Sequence, residues 1–503
     1  MKANHPPKVV IIGAGLGGLA TAVRLLAAGC DVTVIEAQAS TGGRAGRLRE
    51  AGFTFDTGPT LITLPELIDE LFRLGGSSLS QELAMHALDP FYRIAWEDDS
   101  RIFRFSGDRE AMREEIAKFS SRDAGQLGAF LKASAAIYSE TILKAAHRSF
   151  LHLTDFLEVV PAMVRLGAIG STDGFVGHFF KEPHVRQAFS FHPLFIGGDP
   201  FRVPAVYSAV AFMEMSGGVW YPEGGIYSLV EALERLVRKG GRIITGDPAF
   251  RIVDRGRRAV GVVTESGGFY PADAVISNAD VVTTYRRLLG DRSRPAPRLS
   301  MSCFQLYLGT RRAFPELTHH TLFVGREYQR FMHDVTDARR LPRTLSLYVD
   351  APSRTEPAMA PAGGESIMAL LPVPNLAGDG HWPEVEAELR GRVIQTLETY
   401  PTIGLSGLGD SIVVERHQTP LDFRDYLRSA QGNGFGPEPT LFQSTYFRQH
   451  NRDQKIRRLY YAGAGTHPGA GIPGVLLGAE VTAGLVLEDV TRNAASAVGS
   501  RWS

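Results

Sequence analysis

Two stretches of this chain carry residue types whose spacing suits chemistry. The first is Gly13-Ala14-Gly15-Leu16-Gly17-Gly18, directly after the apolar run Val9 to Ile12. In such a turn Gly13 permits the tight bend, Gly15 lets backbone approach a pyrophosphate, and Gly18 lets the following helix pack closely on the strand. That helix, running to Leu26, would aim free amides and a positive dipole end at the anion. Glu36 closes the next apolar run, Val32 to Ile35, and lies 18 residues past Gly18. A carboxylate there accepts hydrogen bonds from ribose hydroxyls, and its charge disfavours a phosphorylated ribose. Glycine turns between strand and helix are common, so the triplet alone means little; strand, glycines, helix and terminal acid together predict a dinucleotide site.

The second stretch lies near the other end of the chain. Tyr460 and Tyr461 close a short apolar run and precede Ala462-Gly463-Ala464-Gly465-Thr466-His467-Pro468-Gly469-Ala470-Gly471-Ile472-Pro473-Gly474-Val475. A helix beginning near Val475 would point its amides at the pyrimidine edge of a flavin, which becomes negative on reduction. Between the two, Gly42-Gly43-Arg44 and Phe55-Asp56-Thr57-Gly58-Pro59-Thr60 would add amides and a guanidinium along an extended cofactor. A nicotinamide dinucleotide needs no such distant segment, so the pattern predicts FAD.

Acid–base candidates occupy a third, aromatic-rich region: Asp155, His192, Asp199 and Glu214. Asp155 stands among Leu153, Phe156, Leu157 and Val160, where desolvation would raise its pKa and its anion would stabilise positive charge on carbon. The competing reading of Thr154-Asp155 is a helix cap.

The elements that must hold these residues follow from composition. Glycine numbers 54 in 503 residues, against about 35 at average usage. Ten fall between Gly13 and Gly58, six between Gly217 and Gly241, and six between Gly463 and Gly478, each cluster beside an apolar run of strand character. This predicts an α/β fold with a Rossmann-like domain assembled from residues 1–60, 217–300 and 441–495. Residues 111–216 read as helical, with apolar spacing such as Leu127, Phe130, Leu131, Ser134 and Ala135. Residues 301–440, with parts of 61–110, read as a mixed-sheet domain. Its strands are expected around Phe304 to Leu308, Leu345 to Val349 and Ile367 to Leu371, and a helix over Trp382 to Thr399.

Charge and cysteine usage narrow the class. Lys plus Arg and Asp plus Glu each number 54, so the formal charge is zero and nucleic acid is not expected as a partner. Cys30 and Cys303 are the only cysteines, which fits a reducing cytoplasm and excludes cysteine-rich metal sites; no metal is expected. Val9 to Val23 and Leu459 to Ala479 lack charge, but glycines interrupt both and Pro468 and Pro473 interrupt the second, so neither reads as a membrane span.

Together these segments resemble the flavoprotein superfamily that includes amine oxidases. The Ala462 to Val475 run, Ser277-Asn278-Ala279-Asp280, Ser190-Phe191-His192-Pro193 with Gly197-Gly198-Asp199-Pro200-Phe201, and Phe447-Arg448-Gln449-His450-Asn451-Arg452-Asp453 narrow this to a resemblance to bacterial and fungal phytoene desaturases. The resemblance runs from about Lys8 to Asp489.

It implies an FAD enzyme that inserts carbon–carbon double bonds into phytoene and its partly desaturated intermediates, with quinone or oxygen as final acceptor. Gly13, Gly15, Gly17, Gly18, Glu36, Gly42, Gly43 and Arg44 would bind the adenosine diphosphate half, and Ala249 would offer backbone to adenine. Gly58, Pro59, Thr60 and the loop containing Gly465, Thr466, Gly474 and Val475 would line the isoalloxazine. Asp155 would be the catalytic carboxylate, although some relatives place a basic residue three positions later where this chain has Glu158. A hydrocarbon substrate implies supply from the bilayer, hence a cytoplasmic protein peripherally associated with membrane through residues 111–216. A desaturase or isomerase of another carotenoid, an amine oxidase, and a non-redox isoprenoid carrier are the competing expectations.

Overall fold

In a computed structural model, residues 5–378 and 382–499 are described. A five-stranded, wholly parallel sheet runs in the order Leu459–Tyr461, Ala274–Ser277, Lys8–Ile12, Asp31–Ile35, Arg242–Ile244. Its strands come from three distant parts of the sequence. Apart from the edge strand Arg242–Ile244, they are short apolar runs buried on both faces, as parallel strands require. Helix Leu16–Ala27 packs against helices Tyr227–Gly240 and Ile472–Gly499 on one face. A separate antiparallel sheet of Ala249–Asp254, Ala259–Thr264 and Phe269–Pro271 packs on the other through Ile252, Ala259 and Val262.

The second layer is a seven-stranded mixed sheet, ordered Ile412–Gln418, Ser302–Thr310, Glu365–Val373, Leu347–Asp350, His320–Val324, Tyr92–Trp96, Ile102–Phe105. Its one parallel pair joins His320–Val324 to Tyr92–Trp96. The expected strands around Phe304, Leu345 and Ile367 all lie in this sheet, and helix Trp382–Thr399 has the bounds read from sequence. Residues 220–222 do not join the parallel sheet. They pair with Met85–Ala87 instead, because the chain crosses there between the two layers.

The helical region comprises helices Leu127–Thr141, Leu153–Arg165, Thr172–Phe179, Pro183–Ser190 and Ala209–Gly217. Many phenylalanines of this region form ordinary core. Phe130 contacts Phe175, Phe179, Phe180 and Phe189, and Phe180 lies 4.6 Å from Phe189. Emptying such a site, as in Phe189→Ala, costs about 3–5 kcal/mol.

Candidate functional site

One cavity of 1010 Å³ runs between the two sheets and joins both chemical stretches of the sequence. Its walls differ in kind from end to end.

At the first end, Gly13, Gly15, Gly17, Glu36, Gly42, Gly43, Arg44 and Ala249 line the space. The glycines are required by packing. A Cβ on Gly18 would overlap the Gly13 carbonyl oxygen, and one on Gly17 would lie 2.7 Å from Asn278 Oδ1 and 2.9 Å from Gly463 Cα. Asn278 Nδ2 donates to the Gly13 carbonyl at 3.2 Å, so this residue stitches the first glycine turn to the last. Glu36 is buried, and its two oxygens accept from the amides of Ala14 (2.7 Å) and Gln38 (2.9 Å), which fixes the carboxylate at the cavity wall. Ala249 reaches the site because Asp247 donates its amide to the Glu36 carbonyl.

Arg44 brings a guanidinium to this end of the cavity. Its Nη2 donates to Ser429 Oγ at 2.8 Å and to Asn433 Oδ1 at 3.3 Å, while its buried Nε has no partner. Burial lowers its pKa from the ordinary arginine value, with Asp280 opposing. A buried guanidinium with an open N–H at a cavity wall is suited to a phosphate or a ring carbonyl.

The middle of the cavity is bounded by Gly58, Pro59 and Thr60 on one side and by Gly469 to Val475 on the other. Thr60 Oγ1 and the Tyr348 hydroxyl share a 2.6 Å hydrogen bond. The final helix begins at Ile472, three residues before the sequence suggested, because Pro473 suits the first turn where its missing N–H costs nothing. Gly474 and Val475 line the wall as expected. Gly465 and Thr466 do not: they stand behind it, Gly465 against Val281 and Thr466 holding the Gly463 carbonyl through its hydroxyl. Arg448 organises this loop, donating to the carbonyls of Thr466 (3.0 Å) and Ala464 (2.7 Å) from a fully buried position. Asn451 ties it to the last helix through Thr482 at 3.1 Å. Neither role was legible in the sequence, since each rests on backbone carbonyls placed by the fold.

The far end is hydrocarbon in character, walled by Phe156, Val160, Met163, Ile169, Phe191, Leu194, Phe195, Val210, Leu322, Phe323, Leu370 and Phe435. His192 and Glu214 also reach this wall. Asp199 and Asp155 do not. Burial pushes Asp199 up to about 6, and it holds the amide of Phe201 at 2.9 Å. The apolar enclosure expected for Asp155 is absent, because Leu153 and Leu157 beside it face solvent. Its carboxylate accepts from the His152 amide at 2.9 Å in a capping box and lies 3.9 Å from Arg148, which also pairs with Glu158 at 2.8 Å.

A buried group not foreseen from sequence adjoins the cavity. His319 and His320 Nε2 lie 3.4 and 3.5 Å from Asp350 Oδ1. Burial pushes both imidazoles down to about 3 and Asp350 up to about 7. Asp56, which accepts from the Tyr221 hydroxyl at 2.6 Å, is pushed up to about 7 in the same way.

The family described as flavin containing amine oxidoreductase matches residues 16–487. The chain is 39% identical over 490 residues to the lycopene-forming phytoene desaturase of Pantoea ananas, covering 95% of this chain and 99% of that protein. It is 36% identical over 497 residues to the neurosporene-forming phytoene desaturase of Cereibacter sphaeroides, covering 96% and 95%. The chain belongs to the phytoene desaturase family of flavin-containing amine oxidoreductases. Solved structures share the fold. An oxidoreductase from Methanosarcina mazei aligns with TM-score 0.61 at 19% identity, over 96% of this chain and all of that one (100%). A redesigned putrescine oxidase aligns with TM-score 0.62 at 13% identity, over 96% and 99%.

This desaturase-family chain is therefore an FAD oxidoreductase acting on carbon–carbon bonds. Its residues fit the cofactor. The partnerless Arg44 Nε, the bare glycine wall and the fixed Glu36 carboxylate supply what a pyrophosphate and a ribose need, and Thr60 with the Gly469 to Val475 loop bounds room for a ring.

Proposed function

We propose that this chain introduces carbon–carbon double bonds into phytoene and its partly desaturated intermediates, towards neurosporene and lycopene. The observation that carries this reading is the single cavity, polar and glycine-walled at one end and hydrocarbon-walled at the other. When bound, FAD takes a hydride from a C–H bond. The chain supplies position and dryness. Gly13 to Gly17, Glu36, Gly42, Gly43 and Arg44 anchor the adenosine diphosphate half, and Ala249 stands by the adenine. Gly58 to Thr60 and Gly474 to Val475 bound the ring. The apolar wall orients a substrate that has no polar handle, each buried CH₂ being worth about 0.8 kcal/mol.

Substrate supply follows from helix Leu153–Arg165. Its Phe156, Val159, Val160 and Met163 line the cavity, while Leu153, Leu157 and Val164 face outward and exposed. Ile169, Phe442 and Phe447 both line the cavity and are exposed, so they mark its opening. Among the described residues no helix is long and apolar enough to cross a membrane. We therefore read this rim as a surface that rests on lipid and draws substrate from it, with quinone or oxygen as the final acceptor.

The test is incubation of phytoene-loaded liposomes with protein and FAD, with and without quinone, followed by chromatography. Coloured desaturation products are expected; unchanged colourless phytoene under all conditions would contradict the proposal.

A further inference from the structure

The hydrocarbon end of the cavity contains a buried acid–imidazole pair whose geometry serves proton removal. His192 Nε2 lies 3.1 Å from Glu214 Oε2, both side chains being about 1% exposed. Tyr92 donates its hydroxyl to the other Glu214 oxygen at 2.8 Å. Three elements converge here: strand Tyr92–Trp96, the turn His192–Ile196 and helix Ala209–Gly217. The second imidazole nitrogen, Nδ1, is buried with no hydrogen-bond partner, although His192 lines the cavity. A polar atom left open in a hydrocarbon wall carries a desolvation cost, which calls for a function.

The pair also stands beside the loops that bound the ring. A Cβ on Gly471 would touch Ile196, at the end of the His192 turn, at 3.5 Å. Phe195, in the same turn, packs 5.8 Å from Tyr348, which bonds to Thr60. His467 offers a contrast. It too lines the cavity with a partnerless Nδ1, but its Nε2 faces the Ala145 carbonyl, no carboxylate backs it, and burial pushes it down to about 4.

Resting on the desaturase reading above, we propose that His192 Nδ1 is the proton acceptor of the reaction and that Glu214, itself fixed by Tyr92, is the positioning residue that stabilises the resulting imidazolium. Forming one double bond breaks two C–H bonds on adjacent carbons. One hydrogen leaves with its electron pair to the oxidised flavin. The other leaves as a proton to Nδ1, and its electron pair becomes the new π bond. The proton passes to water when product departs. Glu214 acts as the buried carboxylate of a nucleophile–base triad does, holding Nε2–H and the ring orientation.

The charged and titratable groups around His192 are few. Glu214 faces Nε2 and Tyr92 lies behind Glu214; His320 stacks 5.7 Å from Tyr92, and Tyr348 stands 5.6 Å beyond His320. The His192 ring also packs against Tyr92, Phe191, Phe105 and Phe195.

The experiment compares wild type, His192→Phe and Glu214→Gln, each loaded with FAD. Flavin bleaching by liposomal phytoene is followed under anaerobic conditions across pH, alongside FAD content and melting temperature. His192→Phe should bind FAD normally and bleach about 100-fold more slowly. Glu214→Gln, nearly isosteric, should stay folded and move the acidic limb of the rate profile to lower pH, because the imidazolium loses its counter-charge. In FAD-free protein, diethyl pyrocarbonate should modify His192, read by peptide mass, and phytoene should protect it. The proposal is overturned if folded His192→Phe bleaches at the wild-type rate, or if Glu214→Gln leaves the pH profile unmoved. Failure of wild type itself to bleach with phytoene would remove the desaturase reading together with this one.

Discussion

The two ends of the cavity recognise their occupants by opposite means. At the glycine end, backbone and a few fixed polar groups form the wall, and at Gly17, Gly18 and Gly42 the geometry leaves no room for a side chain. At the hydrocarbon end, side chains from the seven-stranded sheet and several helices form it. Recognition by backbone requires contiguous residues with fixed spacing; recognition by shape can be assembled from anywhere.

Four variants test this contrast. The largest effect belongs to Gly18→Val, whose Cβ would overlap the Gly13 carbonyl; purified protein should carry no FAD and melt at lower temperature, checked by absorbance and calorimetry. Next, Arg44→Met removes charged hydrogen bonds worth about 1.5–3 kcal/mol, so FAD should bind about 10- to 100-fold more weakly in fluorescence titration, with the fold intact. Third, Leu157→Asp with Val164→Asp should release the protein several-fold from liposomes in flotation assays. Wild-type binding should resist high salt, since the rim is apolar and the chain has no net charge. The smallest effect is expected for Leu194→Met, a volume-conserving change in the hydrocarbon wall, which should alter turnover at most a few-fold.

The region between the ends predicts a pH effect. Asp350 and Asp56 have folded pKa values of about 7, raised by burial above the ordinary 3.8. Their contribution to stability is full below about 4 and is lost as pH rises through 7. His319 and His320, depressed to about 3, contribute the opposite trend, full above about 6.5 and lost as pH falls. Asp350→Asn keeps the neutral form at every pH. Denaturant midpoints should therefore rise relative to wild type at pH 8 and change less at pH 5.

This contrast also explains what was legible in sequence. Gly13 to Gly18, Glu36 and Arg44 could be read because a pyrophosphate dictates spacing over one strand, one turn and one helix. The α/β class and the strands near Phe304 and Ile367 followed from apolar periodicity. The hydrocarbon wall could not be read, because Phe156 and Phe191 face the cavity while Phe180 and Phe189 are core, and only tertiary packing separates them. Asp155 misled for a related reason: beside it Leu153 and Leu157 are exposed while Phe156 and Val160 face the cavity, so proximity in sequence gave no apolar enclosure. His192 and Glu214 were individually suspect as acid–base residues, yet their pairing with Tyr92 spans 122 positions and is visible only in the fold.

On the proposed reading, one cavity brings hydrocarbon and flavin together. Its most direct test is anaerobic mixing of FAD-loaded protein with phytoene liposomes, following the visible absorbance of the flavin. Stoichiometric bleaching matched by desaturated carotenoid is predicted. A flavin that stays oxidised while phytoene is bound would contradict the account.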